Sequence, residues 1–254
     1  GSSNGWKKWI GMNETFAKLG VEARRAAEEQ AFTEWVNAGG EERIARYGKA
    51  LENINAAVEG RKADYILMTY INESVGRIEL VSAAANAKRI TDALAAEDPA
   101  EKEEQLAGVS RRLESFYEDY SMPTDKKVAV AMIQLLKESI PADQLPSFYK
   151  DIDSRFGGDI NAYVEDLYAK SVFTSLDKVK AAIAAGDADA LLNDPACAVR
   201  TSYLESSRPH AEVYSSFSEQ FAQGKKDYIA GTLEMREGEA IYPDANFTMR
   251  LTYG

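Results

Sequence analysis

Residues 195–237 read PACAVRTSYLESSRPHAEVYSSFSEQFAQGKKDYIAGTLEMRE. Within them Tyr203, Ser207, His210, Tyr214, Phe217, Phe221, Gly224, Tyr228, Gly231 and Met235 recur at steps that alternate between four and three. That rhythm draws one seam along a helix, the pattern of two helices packed side by side. Gly224 and Gly231 lie on the seam, where a missing side chain lets a neighbouring backbone come close. Pro209 predicts a kink, because it has no N–H for the helical ladder.

Upstream the same period persists. A first helix is expected from about Asn4 to Asn37, bent near Gly11 or Gly20 and ended by Gly39-Gly40, and a second over about 42–59. A third is expected over about 62–96, carrying Tyr65, Met68, Ile71, Val75, Ile78, Val81 and Ala85 on one stripe. Asp98 reads as an N-cap with Pro99 at the first helical position. Thr124 reads as the cap of a helix that buries Val128, Met132, Leu135 and Leu136. Shorter helices are expected over about 143–156, 160–171, 175–185 and 187–192, punctuated by Gly157-Gly158 and Gly186. No repeat of 33 to 47 residues is present, which argues against a solenoid.

The texture changes after Pro243. Phe247, Met249, Leu251 and Tyr253 alternate with polar residues, the pattern of a β-strand. No second strand is available to pair with it, and an unpaired apolar strand is a poor way to end a domain. The simplest expectation is that the sequence stops just inside a β domain. The predicted fold class is therefore all-α: an irregular multi-helix domain with long helices and one C-terminal strand. Residues 1–241 are assigned to the helical domain and 242–254 to a linker and returning strand.

Composition agrees with a helical globular chain: 254 residues, 45% hydrophobic and 28% charged, with 7 prolines. The net charge of -11 offers no footprint for nucleic acid or an anionic membrane surface. No run of 18 apolar residues exists to span a bilayer. The opening Gly1-Ser2-Ser3 is small and polar, without the character of a signal peptide. Cys197 is the single cysteine, so no internal disulfide is expected.

Candidate chemistry is sparse. Hydrolysis by a nucleophile needs a base and an orienting group beside it. His210 is the single histidine and lies on the apolar seam, where a packed histidine is expected. Cys197 near a helix start reads as a small buried hydrophobe rather than an activated thiol. One histidine cannot supply a di-iron bundle's two Glu-x-x-His pairs. Asp151/Asp153 and Asp187/Asp189 lack the remaining ligands of a calcium loop and read as helix-end and surface charges. No metal or cofactor is expected. The tyrosines fall mostly on helix stripes and read as core. Asn4, ahead of Trp6, Trp9 and Ile10, reads locally as an N-cap.

Both ends of the chain resemble one family. Ser3-Asn4-Gly5-Trp6-Lys7-Lys8-Trp9-Ile10-Gly11-Met12 is similar to the Ser-Asn-Tyr-Trp-Lys-Asn/Lys segment of bacterial dipeptidyl-peptidases 7 and 11. Residues 242–254, YPDANFTMRLTYG, resemble their Tyr-Pro-Asp-Ala-Asn-x-Thr-x-Arg-Leu-x-Tyr-Gly stretch. The resemblance implies an exported serine peptidase, periplasmic or at the cell surface, that removes dipeptides from peptide N-termini. It implies a helical domain inserted into a chymotrypsin-like double β-barrel and covering the cleft as a lid. The stray strand then returns into that barrel. The implied partners are a peptide with a free N-terminus and the catalytic barrel of the same chain. The family's triad lies outside the inserted domain, so this chain by itself is expected to be inactive. The family also holds the substrate's α-ammonium with an asparagine of the helical domain, which maps onto Asn4; Gly5 replaces the aromatic that usually follows. The alternative is a free-standing helical module that binds peptides or proteins.

Overall fold

Gly20, Gly40, Gly157, Gly158 and Gly186 all adopt positive φ, and each sits where one helix ends and the next begins. The structure, a computed structural model, describes the backbone of residues 2–239 and the side chains of residues 7–239. The expected strand at Phe247–Tyr253 lies outside the described residues, and among those described there is no strand. The helices fall into two compact units, one made of residues 1–60 and 217–254, the other of residues 61–216.

The first unit holds α1 (Ser2–Lys18), α2 (Val21–Ala38), α3 (Gly40–Tyr47), the opening turns of α4 (Ala50–Ser74) and, from the far end of the chain, α14 (Ser218–Met235). The bend expected at Gly11 or Gly20 falls at Gly20, which takes φ 57 and separates α1 from α2. Phe32, Val36, Tyr47 and Ala50 form a small core, closed by Trp35, Leu51 and Tyr228. Phe32 meets Tyr228 edge-on at 4.8 Å, the geometry that ring quadrupoles favour. Arg43 stacks 4.0 Å above Trp35 and also donates to the Trp35 carbonyl at 2.9 Å. The Tyr47 hydroxyl donates to Glu234 at 2.7 Å, which ties α3 to α14.

The two seam glycines behave as their spacing predicts. A Cβ on Gly224 would stand 2.8 Å from the Ala50 carbonyl oxygen and 2.9 Å from Ile54. One on Gly231 would stand 2.7 Å from the Phe32 ring. Pro209 lies inside a continuous helix, and the chain breaks instead at Phe217. The carbonyl that Pro209 leaves without a helical donor belongs to Glu205, an exposed residue, so water can satisfy it and the helix survives.

The second unit runs from the rest of α4 through α5 (Glu79–Ala84), α6 (Ala87–Ala95), α7 (Pro99–Glu118), α8 (Met122–Ser139), α9 (Phe148–Phe156), α10 (Ile160–Lys170), α11 (Leu176–Ala185), α12 (Ala188–Leu192) and α13 (Pro195–Ser216). The stripe expected as one helix over 62–96 is cut at Val75 and again at Ala85. Asp125 supplies the reason for the first cut. Its carboxylate is 1% exposed and accepts the backbone N–H groups of Glu79 at 2.8 Å and Leu80 at 2.9 Å. It therefore caps the start of α5 from a distant part of the chain, as an Asp N-cap does from within. The Tyr168 hydroxyl donates to the same carboxylate at 2.5 Å. The stripe's members from Ile71 to Val81 are buried as expected.

Asp125 also explains a shifted face on α8. Ala129, Ile133 and Leu136 point inward, Met132 is half-buried, and Val128 and Leu135 are exposed. A carboxylate on the core side rotates the helix away from the face that hydrophobicity alone selects. The α8 cap is Ser121 rather than Thr124, because Pro123 fits the first turn, where no N–H is needed. Asp98 caps α7 as expected, accepting from Ala100 at 2.8 Å, and Asp187 caps α12. A second buried carboxylate, Asp194, accepts from Ser171 Oγ, the Val172 N–H and the Ala196 N–H at 2.7–2.8 Å. Burial raises its pKa, and those donors pull the other way.

Two stability measurements follow. Gly224→Ala should lower the melting temperature even though alanine gains about 1 kcal/mol of helix propensity over glycine, because the obstacle is backbone. Gly231→Leu should cost about 1–3 kcal/mol by overpacking. Asp125→Ala leaves one buried N–H, one partly buried N–H and a phenol without their acceptor. Chemical denaturation should show a loss on the order of 3 kcal/mol or more; a loss below 1 kcal/mol would mean the α5 cap is dispensable.

Candidate functional site

Asn4 lies in the first turn of α1, which begins at Ser2. The helix therefore starts ahead of the N-cap position read for Asn4; its side chain lies outside the described residues. The rest of α1 displays an unusual surface. Trp9, Met12 and Phe16, with Leu19 just past the helix end, follow one another at steps of three, four and three, which places them on one side of the helix. All are exposed, from 44% at Met12 to 63% at Leu19, and Ile10 beside them is exposed too. Such spacing ordinarily marks a core face, and only the folded arrangement reveals it as surface. An exposed row of large apolar side chains marks a surface used for contact. α1 also carries Lys7, Lys8 and Lys18 against the single acid Glu14, so the helix is locally basic on an acidic chain.

His210 is less inert than its place on the seam implies. Its Nδ1 lies 2.8 Å from Asp64 Oδ1, with side-chain exposures of 14% and 23%. An imidazole oriented by a carboxylate is one limb of a hydrolytic triad. Among the described residues, no hydroxyl or thiol is hydrogen-bonded to the ring. Tyr65 and Tyr214 pack 5.6 Å apart, and Arg61 lies over Tyr214. The pair links α4 to α13. Asp64 had no signal in the sequence, since its partner is 146 positions away.

Cys197 is half-buried, with Sγ directed at the Leu191 carbonyl at 3.3 Å. Burial, and then the charge of Asp194, push its thiol up to about 11. A thiol held protonated at neutral pH is a poor nucleophile, as the expectation of a small hydrophobe required. Most of the tyrosines read as core are so: Tyr149 donates to the Ile133 carbonyl at 2.6 Å and Tyr117 to the Phe173 carbonyl at 2.7 Å. Each buries a ring while its hydroxyl ties two segments together. Among the described residues, no group of three or more His, Cys, Asp or Glu side chains could hold a metal. No described helix is long and apolar enough to cross a membrane.

Known proteins share this arrangement. Dipeptidyl-peptidase 7 of Porphyromonas gingivalis is 36% identical over 260 residues, covering all of this chain and 35% of the relative. An Asp/Glu-specific dipeptidyl-peptidase of the same species is 31% identical, with the same coverage. Among solved structures, Porphyromonas endodontalis DPP11 in complex with the dipeptide Arg-Glu superposes with a TM-score of 0.72 at 26% identity, over 92% of this chain and 33% of that one. The chain thus spans about a third of the length of the relatives it matches. The family model described as Peptidase S46 matches residues 1–254, and the chain belongs to that family.

Proposed function

We propose that this chain is the non-catalytic helical domain of a longer, exported serine dipeptidyl-peptidase that removes dipeptides from peptide N-termini. The observation that carries the reading is the pattern of coverage: relatives named as dipeptidyl-peptidases match the whole of this chain with about a third of their own length. The domain closes over the cleft of a catalytic β-barrel in the same protein, which lies in the periplasm or at the cell surface. Residues 242–254 are the linker and first strand that lead back to that barrel.

The apolar row on α1 supports a docking role. Trp9, Met12, Phe16 and Leu19 face outward, and the relatives' remaining two-thirds is the surface that would cover them. Burying such side chains is worth about 1.5–3 kcal/mol each, enough to favour a closed state. Asn4, on the same helix, accepts a hydrogen bond from the substrate's α-ammonium through its side-chain carbonyl. An uncharged acceptor suits that role because it adds no competing charge. Two residues of peptide then separate the held ammonium from the bond that is cut.

The full-length enzyme tests this. A hydrogen bond to a charged group is worth about 1.5–3 kcal/mol, so Asn4→Ala should lower kcat/KM for a free-amine substrate roughly ten- to a hundredfold. The helix begins ahead of Asn4, so the melting temperature should hardly move. Cleavage of an N-terminally blocked substrate should be indifferent to the change. The 254-residue chain alone should not turn over dipeptidyl substrates. Turnover by the chain that His210→Ala abolishes would assign the chemistry to the His210–Asp64 pair and overturn the reading.

A further inference from the structure

Every described side chain from Lys7 to Leu19 is exposed, whereas α2, α3 and α14 each bury residues in the small core. A helix that buries nothing has to stand on its own propensity, and α1 has little. Gly5 and Gly11 interrupt it, and Asn13 and Thr15 are weak helix formers. No acidic residue occupies its first turn to complement the helix dipole. In water, isolated helices below about 12–15 residues are marginal even when rich in alanine, and α1, with 17 residues, lacks that composition.

The glycines make the same point. Gly224 and Gly231 weaken α14 locally but admit a neighbouring helix. No neighbouring element comes within 4 Å of where a Cβ on Gly11 would stand, and the same is true of Gly20, which links α1 to α2. Gly11 therefore costs helix stability and returns no packing within this chain. What α1 does offer is its apolar row: Trp9, Met12, Phe16 and Leu19, with Ile10 beside them, 38–63% exposed. Covering such a row stabilises a helix that propensity alone does not hold.

The occupant follows from charge and from coverage. A second copy of α1 laid on the row would set Lys7, Lys8 and Lys18 near the same cations, against one acid on each helix. The relatives match this chain with about a third of their own length, so most of the protein proposed above is left to supply the cover. We propose that α1 folds on docking: it is a stable helix only when the remaining part of the same protein covers the row, and Asn4 is brought into place only in that docked state. This rests on the domain reading above and adds that docking and formation of the Asn4 contact are one event. An α-ammonium held by Asn4 favours the docked state in return, because the coupling of two binding events is reciprocal.

Amide hydrogen exchange on the 254-residue chain and on the full-length protein tests this without turnover. In the 254-residue chain, residues 7–19 should exchange within about tenfold of an unstructured peptide, while the amides around Phe32 and Gly231 stay protected. In the full-length protein they should exchange about a hundredfold or more slowly. Phe16→Ala should return them to fast exchange there, yet leave the melting temperature of the 254-residue chain unchanged, because Phe16 lies outside its core. Gly11→Ala, which meets open space, should slow their exchange in the 254-residue chain roughly two- to fivefold. The free-amine dipeptide Ala-Phe should slow them further in the full-length protein, and N-acetyl-Ala-Phe should not; equal slowing by both would overturn the coupling to Asn4. Protection of residues 7–19 in dilute 254-residue chain, or fast exchange in both proteins, would overturn the proposal. Protection that grows with the concentration of the chain would assign the row to a second copy and overturn it too. A full-length protein that protects α1 yet cleaves no dipeptidyl substrate would refute the proposed function and leave folding on docking standing.

Discussion

One buried carboxylate organises much of the larger unit. Asp125 is nearly without solvent contact, and a charge in that position is costly unless every lone pair finds a donor. Two backbone N–H groups at the start of α5 and the Tyr168 hydroxyl from α10 meet that requirement. The consequences spread outward. α5 begins where Asp125 caps it, α8 is rotated to present Asp125 inward, and Tyr168 is fixed with its ring in the core. Asp194 repeats the device at the start of α13, gathering Ser171, Val172 and Ala196. Helix ends leave N–H groups unsatisfied; Asp125 meets those of α5 from a distant part of the chain, and Asp194 meets that of α13 from the adjoining position while also accepting from the distant Val172.

The smaller unit is held by a different constraint. Among the described residues its core is four side chains with an aromatic surround, and close helix contact adds to what their burial supplies. Gly224 and Gly231 allow that approach, with Ala50 and Phe32 occupying the space where side chains would stand. Ion and ring contacts at Arg43, Trp35, Tyr47 and Glu234 finish the packing. α1 is joined to α2 yet keeps its apolar row outward, a cost in exposed surface that makes sense for a contact face.

Among the described residues His210 is oriented by the Asp64 carboxylate without a hydrogen-bonded nucleophile, and burial pushes the Cys197 thiol up to about 11, so it stays protonated at neutral pH.

The sequence alone determined the helical class, the seam of the last helices and the close approach at Gly224 and Gly231, because three-four spacing is a local property of the chain. It also determined the Asp98 cap and the glycine breaks, which need only neighbouring residues, and the family resemblance at both ends. Asn4 as a substrate contact rests on its motif position. The division of the 62–96 stripe, the rotated face of α8, the Asp64 partner of His210 and the outward row on α1 were settled only in three dimensions. Each depends on a partner distant in sequence or on which face meets water. A stripe of Trp9, Met12, Phe16 and Leu19 has the same period whether buried or exposed, and a buried Asp125 has the same letter as a solvated one. Periodicity fixes where a helix puts its side chains, and only the packing of the whole chain decides what those side chains meet.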